Sequence, residues 1–215
     1  IIRWWINAGL PADTTLADLS LTSAITSVLA IELGLADSGI QQMGQSFPPV
    51  ADETIAQLIN QGWQVRALSR ESNGMIVSLL SKGQPVTAQM LEALRIVSES
   101  LVEINLASTG MTDELLSLLA GFNTLQTLNL SNNSLSDKSL AVLYSMASLH
   151  TLNLYGNPQI TDGGISGLSD MENLSTIYLW GTGVTQDGMK GVIAESAGLM
   201  IHGQSEMVLL DSSVE

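Results

Sequence analysis

Four consecutive stretches decide the fold: "LVEINLASTGMTDELLSLLAGFNT" (residues 101–124), "LQTLNLSNNSLSDKSLAVLYSMAS" (125–148), "LHTLNLYGNPQITDGGISGLSDMEN" (149–173) and "LSTIYLWGTGVTQDGMKGVIAESAG" (174–198). They begin at Leu101, Leu125, Leu149 and Leu174, so the period is 24, 24 and 25 residues. Every copy places apolar side chains at its first, fourth and sixth positions: Leu101, Ile104, Leu106; Leu125, Leu128, Leu130; Leu149, Leu152, Leu154; Leu174, Ile177, Leu179. In each copy this pattern reads as a short strand whose apolar side faces a shared core, and four such strands must stack in parallel. After the strand comes Thr112-Asp113, Ser136-Asp137, Thr161-Asp162 or Thr185-Gln186-Asp187. A hydroxyl residue followed by an acid is a helix start, the hydroxyl capping the first N–H groups and the acid facing the positive end of the helix. Leu115, Leu118 and Leu119, and Leu140, Leu143 and Met146, then recur at helical spacing and are expected to close the core.

The period and the LxxLxLxxN pattern resemble the leucine-rich repeat. Asn133 and Asn157 hold its asparagine, whose amide satisfies backbone groups as the chain leaves the strand, and Thr109 and Thr182 replace it with a shorter hydroxyl. The expected fold class is α/β: a right-handed solenoid with a parallel sheet on its concave side, helices on its convex side, and a helical region ahead of it.

The pattern decays toward both ends. "MIVSLLSKGQPVTAQMLEAL" (75–94) reads as one degenerate repeat, with Ile76, Leu79, Val86 and Met90 in phase and Ser81 where an apolar residue belongs. Before it, "DETIAQLINQGWQVRAL" (52–68) reads as a helix stopped by Gly62 and then a strand over residues 63–68, the first half of a repeat. At the other end "LMIHGQSEMVLL" (199–210) restarts the phase at Leu199 with His202 at the second leucine site, which makes it an atypical terminal cap.

The first 50 residues do not fit the repeat. Residues 14–33 carry Leu16, Leu19, Ile25, Val28 and Leu29 at helical spacing, with Gly34 in a C-cap position, and Pro48-Pro49 favours an extended linker. "IIRWWINAG" (1–9) is helical in pattern, and its adjacent Trp4 and Trp5 cannot share one helix stripe, which suggests a neighbour that covers the other side. This stretch resembles the last helix of the cytochrome c domain in a group of bacterial membrane proteins, the planctomycete-type cytochrome c family. In that family a tryptophan helix precedes a proline-containing linker and then leucine-rich repeats. "SNGMIVSLL", "LNLYGNPQITDGGISGL" and "YLWGTGVTQDGMKGV" are similar to the repeat portion of the same proteins. The likeness covers residues 1–10 and about 47–192. It implies an extracytoplasmic, periplasmic C-terminal module of a membrane-anchored redox protein, with haem c in a preceding domain and none on this chain. The expected organisation is a remnant of the preceding domain's last helix over residues 1–12, a helical linker region over 13–49, and a repeat domain over 50–215.

Composition excludes several chemistries. The 215 residues carry 21 acids against 7 bases, a net charge of −14, and such a polyanion repels nucleic-acid phosphates and anionic membrane surfaces. There is no cysteine, hence no disulfide, no zinc–thiolate site and no CxxCH haem attachment on these residues. No uninterrupted apolar run reaches the ~18 residues of a membrane span, so no direct insertion of this segment is expected. His150 and His202, the only histidines, stand in unrelated settings without a converging acid or nucleophile. "TDGGISG" (161–167) lacks the lysine and spacing of a phosphate loop. Asp113, Asp137, Asp162 and Asp187 recur once per repeat, as a calcium ladder would, but their position in the first helical turn explains them without a metal. No catalytic, metal or cofactor residue is assigned, and the chain is expected not to be an enzyme.

What remains is the outward side of the strands, where side chains alternate with the leucines. Its columns read Glu103, Thr127, Thr151, Thr176; Asn105, Asn129, Asn153, Tyr178; and Ala107, Ser131, Tyr155, Trp180. The face turns from small and polar to aromatic toward the C-terminal end. Tyr155, Tyr178 and Trp180, with Asn105, Asn129 and Asn153 as polar neighbours, are the candidate binding residues; either they contact a partner or a terminal segment such as residues 207–210 covers them. Two functions compete: a non-catalytic module presenting this face to a protein or glycan partner, and an accessory domain of an electron-transfer protein that docks the cytochrome domain or its redox partner.

Overall fold

The computed structural model describes residues 46–69, 72–79, 84–196 and 198–203. The helices expected over residues 1–12 and 14–33, and the segment 207–210, lie outside them. The body that begins at Ser46 contains, in order, α1 (Asp52–Asn60), β1 (Trp63–Ser69), β2 (Ser72–Leu79), α2 (Ala88–Ala93), β3 (Leu101–Asn105), α3 (Asp113–Leu116), β4 (Thr127–Asn129), α4 (Asp137–Leu143), β5 (Thr151–Asn153), α5 (Asp162–Ile165), β6 (Thr176–Tyr178), α6 (Gln186–Glu195) and β7 (Met200–His202). The strands form one sheet in chain order, parallel from β2 to β7. This is a leucine-rich repeat fold of the α/β class.

The repeat reading places the core correctly. Ile104, Leu128, Leu152, Ile177 and Ile201 are aligned across five strands, and the first four are 0% exposed. Leu101, Leu106, Leu125, Leu130, Leu149 and Leu154 are equally closed off. A three-residue strand cannot hold itself together, so its stability comes from its neighbours. Leu119, Leu140, Leu143 and Met146 cover the core from the helix side as expected; in the first repeat Leu116 and Phe122 are buried, and Leu115 and Leu118 only half so. The helices are short, three of them passing into or ending beside tight 3-10 turns over Leu94–Ser100, Ser117–Leu119 and Ser166–Asp170.

Both ends depart from the expected phase. Gly62, at φ +97°, does end α1, as expected of its helix-stopping position. The strand after it, however, runs antiparallel to β2, pairing Trp63 with Leu79 and Val65 with Val77. β1 and β2 therefore form a hairpin that closes the end of the sheet rather than half a repeat. β2 in turn pairs Val77 with Ile104, with a register irregularity between Met75 and Ile76. The inward residue is Val77, fully buried, and Ile76 stands on the outward side, so the assignment of Ile76 and Leu79 to the first two leucine sites is two residues out of step; Ser81 lies outside the described residues. Phe47 is buried on this end, where its carbonyl accepts from Asn73 Nδ2 at 2.9 Å, and Pro48 O accepts from Ser100 Oγ at 2.7 Å. At the C-terminal end Ile177 pairs with Ile201 and Tyr178 with His202. The last repeat therefore restarts at Gly198, 24 residues after Leu174, rather than at Leu199, and His202 lies outward, not at an inward leucine site.

The turn asparagines act as expected and reach further. Asn133 Oδ1 accepts from the N–H groups of Thr109 (3.2 Å) and Met111 (3.0 Å), while its Nδ2 donates to the carbonyls of Leu106, Leu130 and Ser131. Asn157 repeats this with Leu135 N–H and with the carbonyls of Leu130, Leu154 and Tyr155.

Replacing Leu128 or Leu152 by Ala should cost about 2 to 5 kcal/mol, the range for a cavity in a core that cannot collapse. Denaturant titration measures it, and a change near zero would mean that these side chains are not inward.

Candidate functional site

The outward side of the sheet is built by register alone. Glu103, Thr127, Thr151, Thr176 and Met200 stand in one column, and Ser78, Asn105, Asn129, Asn153, Tyr178 and His202 in the next. The three asparagines also brace the backbone beside them, each Oδ1 accepting from the N–H two residues on, at Ala107 (3.1 Å), Ser131 (3.0 Å) and Tyr155 (3.0 Å). A backbone N–H only donates, so the oxygen must be the tied atom and the NH2 group is what each side chain presents.

At the C-terminal end the structure brings together two of the three predicted rings and one residue missed by sequence reasoning. Tyr178 and Trp180 stack with centroids 6.0 Å apart, Tyr178 and His202 with centroids 4.9 Å apart and planes 15° from parallel, and Trp180 and His202 lie 5.7 Å apart. Tyr155, 45% exposed, stands one strand earlier and joins no ring stack among the described residues. The site is therefore a Tyr178–Trp180–His202 stack with Tyr155 beside it. A restart at Leu199 turns His202 inward, whereas counting 24 residues on from Leu174 puts it in the column of Tyr178, where the register places it. Residues 207–210, the alternative cover for these rings, lie outside the described residues.

Charge is nearly absent from this face. Among the described residues Glu103 is the only acid on a strand. Burial pushes its carboxyl above the usual range, and Arg66 pulls it part of the way back.

The recurring acids have a different use. Asp113 accepts from Ser136 N–H (2.9 Å) and Oγ (2.5 Å), Asp137 from Thr161 N–H and Oγ1 (both 2.6 Å), and Asp162 from Thr185 N–H (2.7 Å) and Oγ1 (2.6 Å). Each carboxylate holds the helix start of the following repeat. A Cβ on Gly164 or Gly188 would run into the Asp137 or Asp162 carboxylate, so a small residue belongs three positions after the receiving hydroxyl. Asp187 is not equivalent: Gln186 has the ladder position, and Asp187 faces Lys190 at 3.7 Å. His150 Nδ1 donates to Ser148 O at 2.7 Å.

Burial pushes Asp113 up, but the Ser136 hydroxyl and N–H and the Ser139 hydroxyl outweigh it and hold the carboxyl below its ordinary value; the Thr185 hydroxyl and N–H do the same for Asp162. A carboxylate with a depressed folded pKa adds stability that is present above its unfolded value, about 3.9, and lost as pH falls through the folded one. Glu103 acts in the opposite direction, so the comparison must be between variants. Between neutrality and about pH 4 the wild type should be more stable than Asp162→Asn, and the gap should close on further acidification. Thermal melts across pH measure this, and parallel profiles would show that the carboxylate does not carry the tie.

Residues 124–146 match one Leucine Rich Repeat family and residues 145–169 a second. No curated protein matches the chain. Among solved structures, an internalin from Listeria monocytogenes is similar over 59% of this chain and 34% of its own, at 20% identity and a TM-score of 0.47. Internalin C2 from the same species is similar over 59% of this chain and 70% of its own, at 21% identity and a TM-score of 0.37. The chain thus spans about a third of the length of the first.

Proposed function

We propose that this chain is a non-catalytic recognition module that holds a protein or glycan partner on the outward face of its sheet. Tyr155, Tyr178 and Trp180 make the main contact, His202 backs the stack, and Asn105, Asn129 and Asn153 are the polar neighbours. The observation that carries this reading is the Tyr178–Trp180–His202 stack beside exposed Tyr155 and Met200, on a face whose other outward strand residues from β4 to β6 are threonine and asparagine. Large rings with one polar atom are favoured at contact sites, because they bury much area with few rotors and still offer a hydrogen bond. Regular repeats supply the rest, holding many side chains at fixed spacing on one extended surface. The likeness of residues 1–10 and 47–192 to cytochrome-bearing membrane proteins supports a place for this module outside the cytoplasmic membrane.

Changing both Tyr155 and Trp180 to Ser should lower the melting temperature by no more than about 4 °C, the scale of one lost ring stack in a chain of this size. Capture of partner from an extracytoplasmic protein fraction or a glycan array should weaken at least about tenfold. Lys138→Ala, on the helix side, should leave both unchanged. A fall of more than about 8 °C would mean that the rings hold the fold rather than a partner.

A further inference from the structure

Resting on that reading, we infer that the ligand of this face is a neutral oligosaccharide. The first argument is the segregation of charge. The chain carries a net charge of −14, yet from β4 to β7 no outward strand residue is an acid, lysine or arginine. The described acids other than Glu103 lie on helices and their connections, and Arg66 and Glu103 stand together at the far end of the sheet. An anionic ligand needs arginine or lysine at the contact and would meet the field of a polyanion. A cationic one would find its acids on the helix side. The face can therefore bind a ligand recognised without ion pairing.

The second argument is the kind of hydrogen bonding on offer. Asn129 and Asn153 present NH2 groups whose orientation is set by the Oδ1 bonds to Ser131 and Tyr155 N–H, and the half-buried Thr127 stands in the neighbouring column. Equivalent groups recur once per strand, ~4.8 Å apart. A pyranose chain laid across the strands advances by a comparable distance per sugar, so its hydroxyls meet the same donors repeatedly. Tyr155, 45% exposed beside the ring stack, supplies what the threonines and asparagines lack, an apolar ring with a negative π face, against which the C–H groups of one sugar face pack. A protein partner would instead require a desolvated apolar patch at the centre of its footprint. Here the centre is threonine and asparagine, and the rings lie at one end.

The test uses the whole chain with cellohexaose, xylohexaose, mannohexaose and chitohexaose as neutral probes and oligogalacturonate as the anionic one, read by tryptophan fluorescence and by saturation-transfer NMR. At least one neutral hexasaccharide should bind saturably. Its affinity should change by less than about twofold between about 0.05 and 0.5 M NaCl, because screening has no ion pair to act on. Trp180→Ser should weaken it at least about tenfold. Asn153→Asp keeps an acceptor for Tyr155 N–H but puts a charged acceptor in place of the outward NH2 donor, and should weaken it about threefold or more. Circular dichroism melts establish that both variants fold. Binding of oligogalacturonate alone, or affinity that falls with salt, overturns the inference. So does failure of all four neutral probes while a protein is still captured through Tyr155 and Trp180, and in that case the recognition reading stands. If neither sugar nor protein is held, both readings fall.

Discussion

The buried amide of Asn133 sets the terms for the rest of the structure. A solenoid with three-residue strands must turn after every strand, and the turn brings backbone N–H and C=O groups into the core, where each unpaired group costs about 1 to 3 kcal/mol. Asn133 serves five of them, two N–H groups and one carbonyl in the preceding repeat and two carbonyls in its own. One side chain therefore fixes two turns in the same phase. At Thr109 and Thr182 the hydroxyl reaches only its own turn, donating to Leu106 O and Leu179 O. The last turn closes on its neighbour through backbone instead: Gly183 N–H donates to Ile160 O at 2.8 Å, an approach at which a Cβ would meet Pro158 O.

A second row of ties runs along the helix side, where Asp113, Asp137 and Asp162 each hold the next hydroxyl cap. The row starts where it does because Ala88 occupies the corresponding place after the Thr87 cap, and it stops because Gln186 follows Thr185. The leucine core between these rows supplies the burial, but apolar contact has little direction; the two polar rows set the stagger of one repeat on the next. Coupling of this kind between nearest neighbours makes several short elements behave as one cooperative unit.

The parts of the fold that were legible in the sequence are those repeated without change. Leu128 and Leu152 announce their burial because four copies agree on the site, and the outward columns follow from alternation. The ends were not legible, since a terminal element has one neighbour and no copy to average with. β2 pairs with a parallel strand on one side and an antiparallel one on the other, and its irregularity after Met75 moves Val77 rather than Ile76 into the core. The carboxylate ties were overlooked for a different reason: the first-turn position accounts for an aspartate locally and hides its longer reach. The sequence does hold the signal, in the small residue three places after each receiving cap, Ser139, Gly164 and Gly188. Of the candidate site, the rings of Tyr178 and Trp180 were readable and their stacking partner His202 was not, because one residue of phase decides which side of a strand a side chain takes.

Stacking duties are thus concentrated in the turns, the helix starts and the inward leucines, and this leaves the outward face unequally constrained. Asn105, Asn129 and Asn153 still do structural work through their Oδ1 atoms, which explains why that column is uniform over three strands. At Tyr178 the series breaks. Tyrosine carries its one side-chain oxygen at the far end of its ring, and the asparagine brace of the three preceding strands gives way here to a ring stacked against Trp180 and His202. Strand propensity favours aromatic residues, but it applies equally to the three preceding strands, which carry asparagine at this position. An asparagine series that ends at one repeat in favour of a ring cluster, on a face that carries no acid, lysine or arginine from β4 to β7, is the kind of departure from repeat logic expected where a surface serves something other than its own stability.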